Sequence, residues 1–338
     1  MQLLWYVIIA IFWTGFFVLE GFDFGVGALH QVVGHDDTER RVAINTIGPF
    51  WDGNEVWLIV AGAATFAAFP GWYATWFSAL YLALVLILLA LIMRGVSFEF
   101  RGQHEHERWR ATWSWTLTIG SVLAPLLLGL GLGDLLAGLP IASDQEFTGT
   151  FWSLFTPYGV LFGVTLLAIC VLHGAAFLSL KSDGMVRQRS HQVARRWRWV
   201  AGVLVVVTAV ATYVLSGRSL LTVTLLAITV VAAGAAVATI GAGHEGLGFV
   251  ATAVAIGGTV ATLFAGLYPN VMVSSTAVAN NLTVASVASG SYALQVMSIV
   301  AAIFFPLILM YQSWSYYVFR RRVGPPRAAA PSFPQTHP

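Results

Sequence analysis

The sequence predicts an all-α, polytopic membrane protein of nine transmembrane helices packed as helical bundles. Three observations carry that prediction. Of 338 residues, 58 % are hydrophobic and only 9 % are charged, against roughly 25 % charged in an ordinary soluble domain. The apolar residues are gathered in blocks of membrane length, with the charges in short stretches between them. Within the blocks apolar and polar positions do not alternate, as the ~10-residue strands of a membrane barrel would require. Only helices and closed barrels satisfy their backbone polar groups in lipid, so helices remain.

The blocks follow in order. The first, 3–29, lacks a basic leader and an A-x-A-like cleavage site, and so reads as a span rather than a signal peptide. The second, 50–69, starts just after Pro49, and the third, 72–93, just after Pro70. The next three fall at 112–138, 156–180 and 198–216. The seventh and eighth, 219–240 and 248–268, are separated by the tight "GAGHEGL" connection, which carries the polar His244 and Glu245. The ninth is 293–319. Each is long enough for about 30 Å of hydrocarbon at ~1.5 Å per residue. Residues 1–323 read as a single integral membrane domain. The Pro-rich "GPPRAAAPSFPQTHP", 324–338, reads as a disordered cytoplasmic tail.

Nine spans divide the basic residues cleanly. Sixteen of the 17 fall on one side, in the stretches 30–49, 94–111 and 181–198 and after 319, and only Arg218 falls on the other. The positive-inside rule then predicts the N-terminus outside and the C-terminus in the cytoplasm. The arginine-rich "RQRSHQVARRWRWV" at 187–200 suits orientation and contact with anionic headgroups of membrane lipids. So short a juxtamembrane stretch argues against nucleic acid as a partner. The outer stretch 269–292 has no charge and is rich in Ser, Thr, Asn and Ala, a composition open to covering a partner. The single cysteine, Cys170, excludes an internal disulfide and a cysteine-based metal site.

Four acidic residues stand inside or at the mouths of spans. Glu20 and Asp23 lie near the inner end of the first, and Asp52 and Glu55 at the inner start of the second. Each pair is spaced i, i+3 and so projects from one helical face. An acidic side chain at a helix N-terminus gains from the macrodipole, so Asp52 can serve as a cap. Intramembrane carboxylates more often face a bundle interior or a water-filled path and relay protons. A di-metal carboxylate site is a rival reading, but the Glu-x-x-His pattern that such bundles use is absent. In "GFDFGVGAL" the Gly21-x-x-x-Gly25 spacing permits close helix approach.

Of eight histidines, only His173 lies deep in a block. A haem with two axial protein ligands commonly takes them from His or Met, so one deep histidine suits an interhelical polar contact better. No metal and no tightly bound cofactor is expected in this chain.

The stretches "EGFDFGVGAL" (20–29), "DDTERRVAINTIGPFWDGNEVWLIVAGAATFAAFP" (36–70) and "RGVSFEFR" (94–101) resemble subunit II of the cytochrome bd-type quinol oxidases. So do "TPYGVLFGVTLLAICVLHGAAFLSLKSDG" (156–184), "YPNVMVSS" (268–275) and "FFPLILMYQSWSYYVF" (304–319). The resemblance implies a nine-helix, haem-free subunit, itself without catalytic residues, in a bacterial cytoplasmic membrane. It implies a heterodimer with a homologous subunit I that carries the b- and d-type haems and oxidises quinol. The complex reduces dioxygen to water in the aerobic respiratory chain. A quinone enters as substrate, or as a structural ligand, and small accessory subunits are compatible with the family.

The resemblance also implies a cytoplasm-facing proton path through the aspartate of W-D-G-N, here Asp52, beside Trp51, and through the aspartate of G-F-D, here Asp23. Glu55 stands where the family also accepts glutamine, and Glu20 completes the set. Quinol oxidation outside and proton uptake from inside would build a gradient without a pump. A proton-coupled secondary transporter using the same four carboxyls is the alternative.

Overall fold

The computed structural model describes residues 1–324. The predicted 324–338 tail lies outside the described residues except for Gly324. Eleven α-helices follow one another: α1 (Gln2–Val33), α2 (Asp37–Ile47), α3 (Trp51–Ala68), α4 (Pro70–Ala79), α5 (Tyr81–Phe100), α6 (Glu107–Ala137), α7 (Pro157–Lys181), α8 (Gly184–Leu215), α9 (Leu220–Ala242), α10 (Glu245–Leu267) and α11 (Ser291–Val318). Among the described residues, eight are long and apolar enough to cross a membrane. The predicted second span forms α3, whose 18 residues open on the polar Asp52, Asn54 and Glu55. That turn dilutes its apolarity, so eight helices qualify where nine were expected. The fold class is as the sequence predicts, all-α and membrane-spanning.

The helices pack in two groups. In one, α3 and α6 flank α1, and α5 lies against α6; in the other, α7, α8, α9 and α10 pack in turn, and α10 closes back on α7. The groups are joined where α6 packs along α7 and where α1 lies against both α7 and α10. Its approach to α7 depends on glycine. A Cβ on Gly25 would stand 2.7 Å from the Cα of Gly174, so any larger side chain would push the backbones apart. Helix α11 lies outside both groups, and only Leu294 of it is buried.

Several boundaries differ from the sequence reading. The predicted 72–93 span breaks near Leu80 into α4 and α5. The basic stretch 30–49 contains α2, which Asp36 caps by accepting from the Glu39 N–H at 2.8 Å. Helix α8 starts at Gly184 and carries the five arginines in helical conformation. Arg94 is not in a loop: it lies in α5 and is fully buried.

The uncharged segment 269–292 covers its own chain. Its strands β1 (Asn270–Met272) and β2 (Leu282–Thr283) pair antiparallel. The Val273 N–H donates to the Leu135 carbonyl, and the Ser289 N–H to the Ala68 carbonyl. These bonds satisfy helix-end carbonyls that would otherwise be left without partners.

Candidate functional site

A charged cluster sits where α1, α3 and α5 meet. Helix α1 turns Glu20 and Asp23 inward, both fully buried. Helix α3 presents Glu55, whose side chain is 20 % exposed. Helix α5 supplies the counter-charge. The Arg94 Nη1 lies 2.5 Å from Glu20 Oε1 and 3.2 Å from Glu55 Oε2. The guanidinium stacks over the rings of Phe24 and Phe98, 4.8 and 5.5 Å from their centroids. Removing an ion from water costs several kcal/mol, and close opposite charge with further hydrogen bonds is what repays it. This cluster provides the close opposite charge, but Glu20 Oε2, Asp23 Oδ1 and the Arg94 Nε and Nη2 are buried without hydrogen-bond partners.

Asn54 is the neutral centre of the arrangement. Its Nδ2 donates to Asp23 Oδ2 at 2.6 Å and to the Leu19 carbonyl at 3.1 Å. Its Oδ1 accepts from Gln312 Nε2 and from the Tyr316 hydroxyl, each at 3.0 Å. Gln312 in turn accepts from the Trp57 indole at 2.9 Å. One amide thus ties α11 to α1 and α3. Trp51 stacks on Phe98 at 4.7 Å, on the ring that also lies against Arg94.

The structure therefore brings Glu20, Asp23 and Glu55 together, with Trp51 at the rim. It does not draw Asp52 into the cluster. Asp52 sits in the first turn of α3, one helical turn before Glu55, and is exposed. Among the described residues, no ion pair engages it. Sequence reasoning missed Arg94, because it stands at the edge of an apolar block and counts as a loop charge. It also missed Asn54, Gln312 and Tyr316. The signal for Arg94 was present: several acidic groups at membrane depth demand a counter-ion nearby.

A further carboxyl was missed at the far end of α6. Asp134 is fully buried and accepts from the Thr156 hydroxyl at 2.6 Å. The same Thr156 oxygen accepts the Gly159 N–H at 2.9 Å and so caps α7. The carboxyl lies against a helix N-terminus, where the macrodipole favours negative charge.

His173 lies apart from the cluster. Its Nδ1 is 2.7 Å from Thr252 Oγ1, linking α7 to α10. Its ring stacks on Phe249 at 4.4 Å, with Phe22 edge-on at 5.9 Å. The ring is thus packed by aromatic neighbours on α1 and α10. Among the described residues, no three of His, Cys, Asp and Glu converge as a metal site. An open apolar groove of about 1200 Å³ runs between α1, α10 and α11, past Tyr6, Trp57, Phe264 and Phe305 to Gln312 and Tyr316.

Fold and site together define a class: a multi-pass helical membrane protein that buries a cluster of acidic side chains and one arginine between its spans. The comparisons give the family. The sequence profile described as "Cytochrome bd terminal oxidase subunit II" matches residues 1–319. The chain is 42 % identical over 325 residues to "Cytochrome bd ubiquinol oxidase subunit 2" of Bacillus subtilis (strain 168), covering 95 % of this chain and 96 % of that one. It is 33 % identical, over a 360-residue alignment, to "Cytochrome bd-I ubiquinol oxidase subunit 2" of Escherichia coli (strain K12), covering 96 % and 95 %. The fold matches a chain of "The structure of bd oxidase from Geobacillus thermodenitrificans" with a TM-score of 0.73 at 15 % identity, over 94 % of this chain and 96 % of that one. This chain belongs to the cytochrome bd terminal oxidase subunit II family.

Proposed function

We propose that this chain is the haem-free partner of a haem-bearing subunit I in a quinol:dioxygen oxidoreductase, and that it supplies the proton-entry side of the reaction. The observation that carries this reading is the exposed Asp52 one helical turn from Glu55, itself joined through Arg94 to Glu20. Protons enter at Asp52 from the cytoplasmic side and pass to the cluster. Arg94 does not relay them, because a guanidinium keeps its protons at accessible pH. It holds the carboxyls in place and balances one of their charges. Neutralising three buried carboxyls against one guanidinium requires two bound protons besides it, so the cluster has the capacity to store them. Asn54 fixes Asp23 and couples the site to α11. The haems, the quinol-oxidising site and oxygen reduction belong to subunit I. The long groove beside Gln312 and Tyr316 suits a quinone-like lipid-soluble ligand, with the second amide N–H of Gln312 at one end to meet a carbonyl.

The test is Asp52→Asn in the assembled complex. The cap that the sequence allowed for Asp52 is not made, since Phe50 is the N-cap of α3 and no side chain bonds there. The amide therefore costs the helix little, but it cannot exchange a proton. The complex should assemble with full haem content, and quinol should still reduce the haems. Oxygen uptake should fall at least tenfold, the equivalent of ~1.4 kcal/mol on the limiting barrier. Unchanged oxygen uptake across the pH range, in a fully assembled complex, would remove Asp52 from the proton path.

A further inference from the structure

We infer that the cleft between the first turns of α8 and the α9–α10 turn is a binding site for the headgroup of an anionic phospholipid. Arg187, His191 and Arg195 lie on one face of α8, with Gly243 and Glu245 opposite them, around a cavity of about 600 Å³. The nearby acids are already engaged. Glu245 takes Arg187 at 3.0 and 3.1 Å and Arg322 at 3.3 Å, and Glu39 takes Arg189 at 2.5 Å. Arg195, Arg196 and Arg198 make no ion pair among the described residues. Residues 325–338 contain no Asp or Glu that could provide one.

Arg198 lies outside the cleft lining, its Nη1 donating to the Val237 carbonyl at 2.8 Å. Arg195 is therefore the cleft arginine left to meet an anion, and a phosphate oxygen is the group that Arg geometry matches best.

Depth selects a lipid over a soluble anion. Trp197 and Trp199 flank Arg198, and tryptophan favours the membrane–water boundary. From Arg195 the same helical face continues through Trp199, Val203, Val206 and Val210, all exposed. A phosphate held at Arg195 would therefore have an apolar track beneath it for its acyl chains. Soluble phosphate has no use for that track.

The experiment uses the purified complex in nanodiscs of mixed phosphatidylglycerol and phosphatidylcholine. Lipids retained after a detergent wash are counted by native mass spectrometry. The wild type should retain phosphatidylglycerol preferentially. Arg195→Gln, which breaks no hydrogen bond or ion pair among the described residues, should weaken that retention about fivefold, the effect expected for one arginine near a membrane surface. Arg196→Gln, one position off the cleft face, should leave retention close to wild type. Equal losses in the two variants would mean diffuse surface attraction and overturn the site. No preference for phosphatidylglycerol in the wild type would overturn it too. Displacement by inorganic phosphate would assign the cleft to a soluble anion and overturn the lipid reading. Unchanged haem content in both variants serves as the folding control.

Discussion

Arg94 carries more of this site than any residue that the sequence singled out. It is the basic group within 4 Å of both Glu20 and Glu55. Breaking a buried ion pair by removing one partner typically costs ~3–5 kcal/mol, because the other charge stays behind. Arg94→Met should therefore lower the yield and the thermal midpoint of the complex sharply. Adding Glu20→Gln to it should recover part of the loss, since the stranded carboxylate is then gone. The comparison is a thermal-denaturation double-mutant cycle. Additive losses would show that Arg94 and Glu20 are not coupled. Lysine at 94 should rescue poorly, since a point charge cannot reproduce the planar fork stacked between Phe24 and Phe98. Asp52→Asn stands in contrast: exposed and unpaired, it should shift stability by no more than about 0.5 kcal/mol.

Helices α2 and α11 depend on a few polar ties. Helix α11 is nearly all exposed and is held at one end by the Trp5 indole, which donates to the Leu294 carbonyl at 3.1 Å and to Ser298 at 3.0 Å. Its other end is tied to α3 by Asn54, through Gln312 and Tyr316, and by the Trp57 indole on Gln312. Lys181 holds the carbonyls of Phe319 and Arg321 just beyond it. Asn54→Leu is close in size but removes both bonds. Amide hydrogen exchange around Gln312–Val318 should then speed up, with little change around Ser291–Ser298. Uniform protection would show that packing alone holds the helix.

Helix α2 is docked by Glu39, which accepts from the His35 N–H and from Arg189. Those bonds hold its carboxyl below the ordinary glutamate range, the His35 N–H contributing most. A depressed folded-state value means that the tie stabilises fully above the unfolded carboxylate's pKa, near 4.5. The contribution is lost as pH falls through the lower folded value. Glu39→Gln should therefore reduce stability at neutral pH and flatten the acid limb of the stability curve below about pH 4.5. Parallel curves for variant and wild type in pH-dependent thermal melts would refute the tie.

At the scale of the molecule, the cluster and the basic residues lie toward the same end of the helices. Arg94 belongs in the sequence count with the loop charges, yet it sits inside α5 as the cluster's counter-ion. Fifteen basic residues still oppose Arg218 after it is set aside, so the orientation argument survives. A reporter fused after Arg322 should score cytoplasmic, and one in the 269–292 segment periplasmic. The reverse pattern would place Asp52 on the wrong side for proton entry.

Apolar block length by itself determined the long helices, though not α2 or the break at Leu80, because a backbone in lipid has few ways to satisfy its hydrogen bonds. The i, i+3 spacing likewise determined that Glu20 and Asp23 share a face, as do Asp52 and Glu55. Only the tertiary structure decided which of the four meet. Glu20, Asp23 and Glu55 converge because Gly25 lets α1 pack hard against α7 while α3 and α5 close on its other side. Asp52 stays outside because it lies one turn nearer the end of α3. Arg94 and Asn54 acquire their roles only when α5 and α11 arrive beside α3. A counter-ion is chosen by distance in space, and no local pattern in the chain encodes that distance.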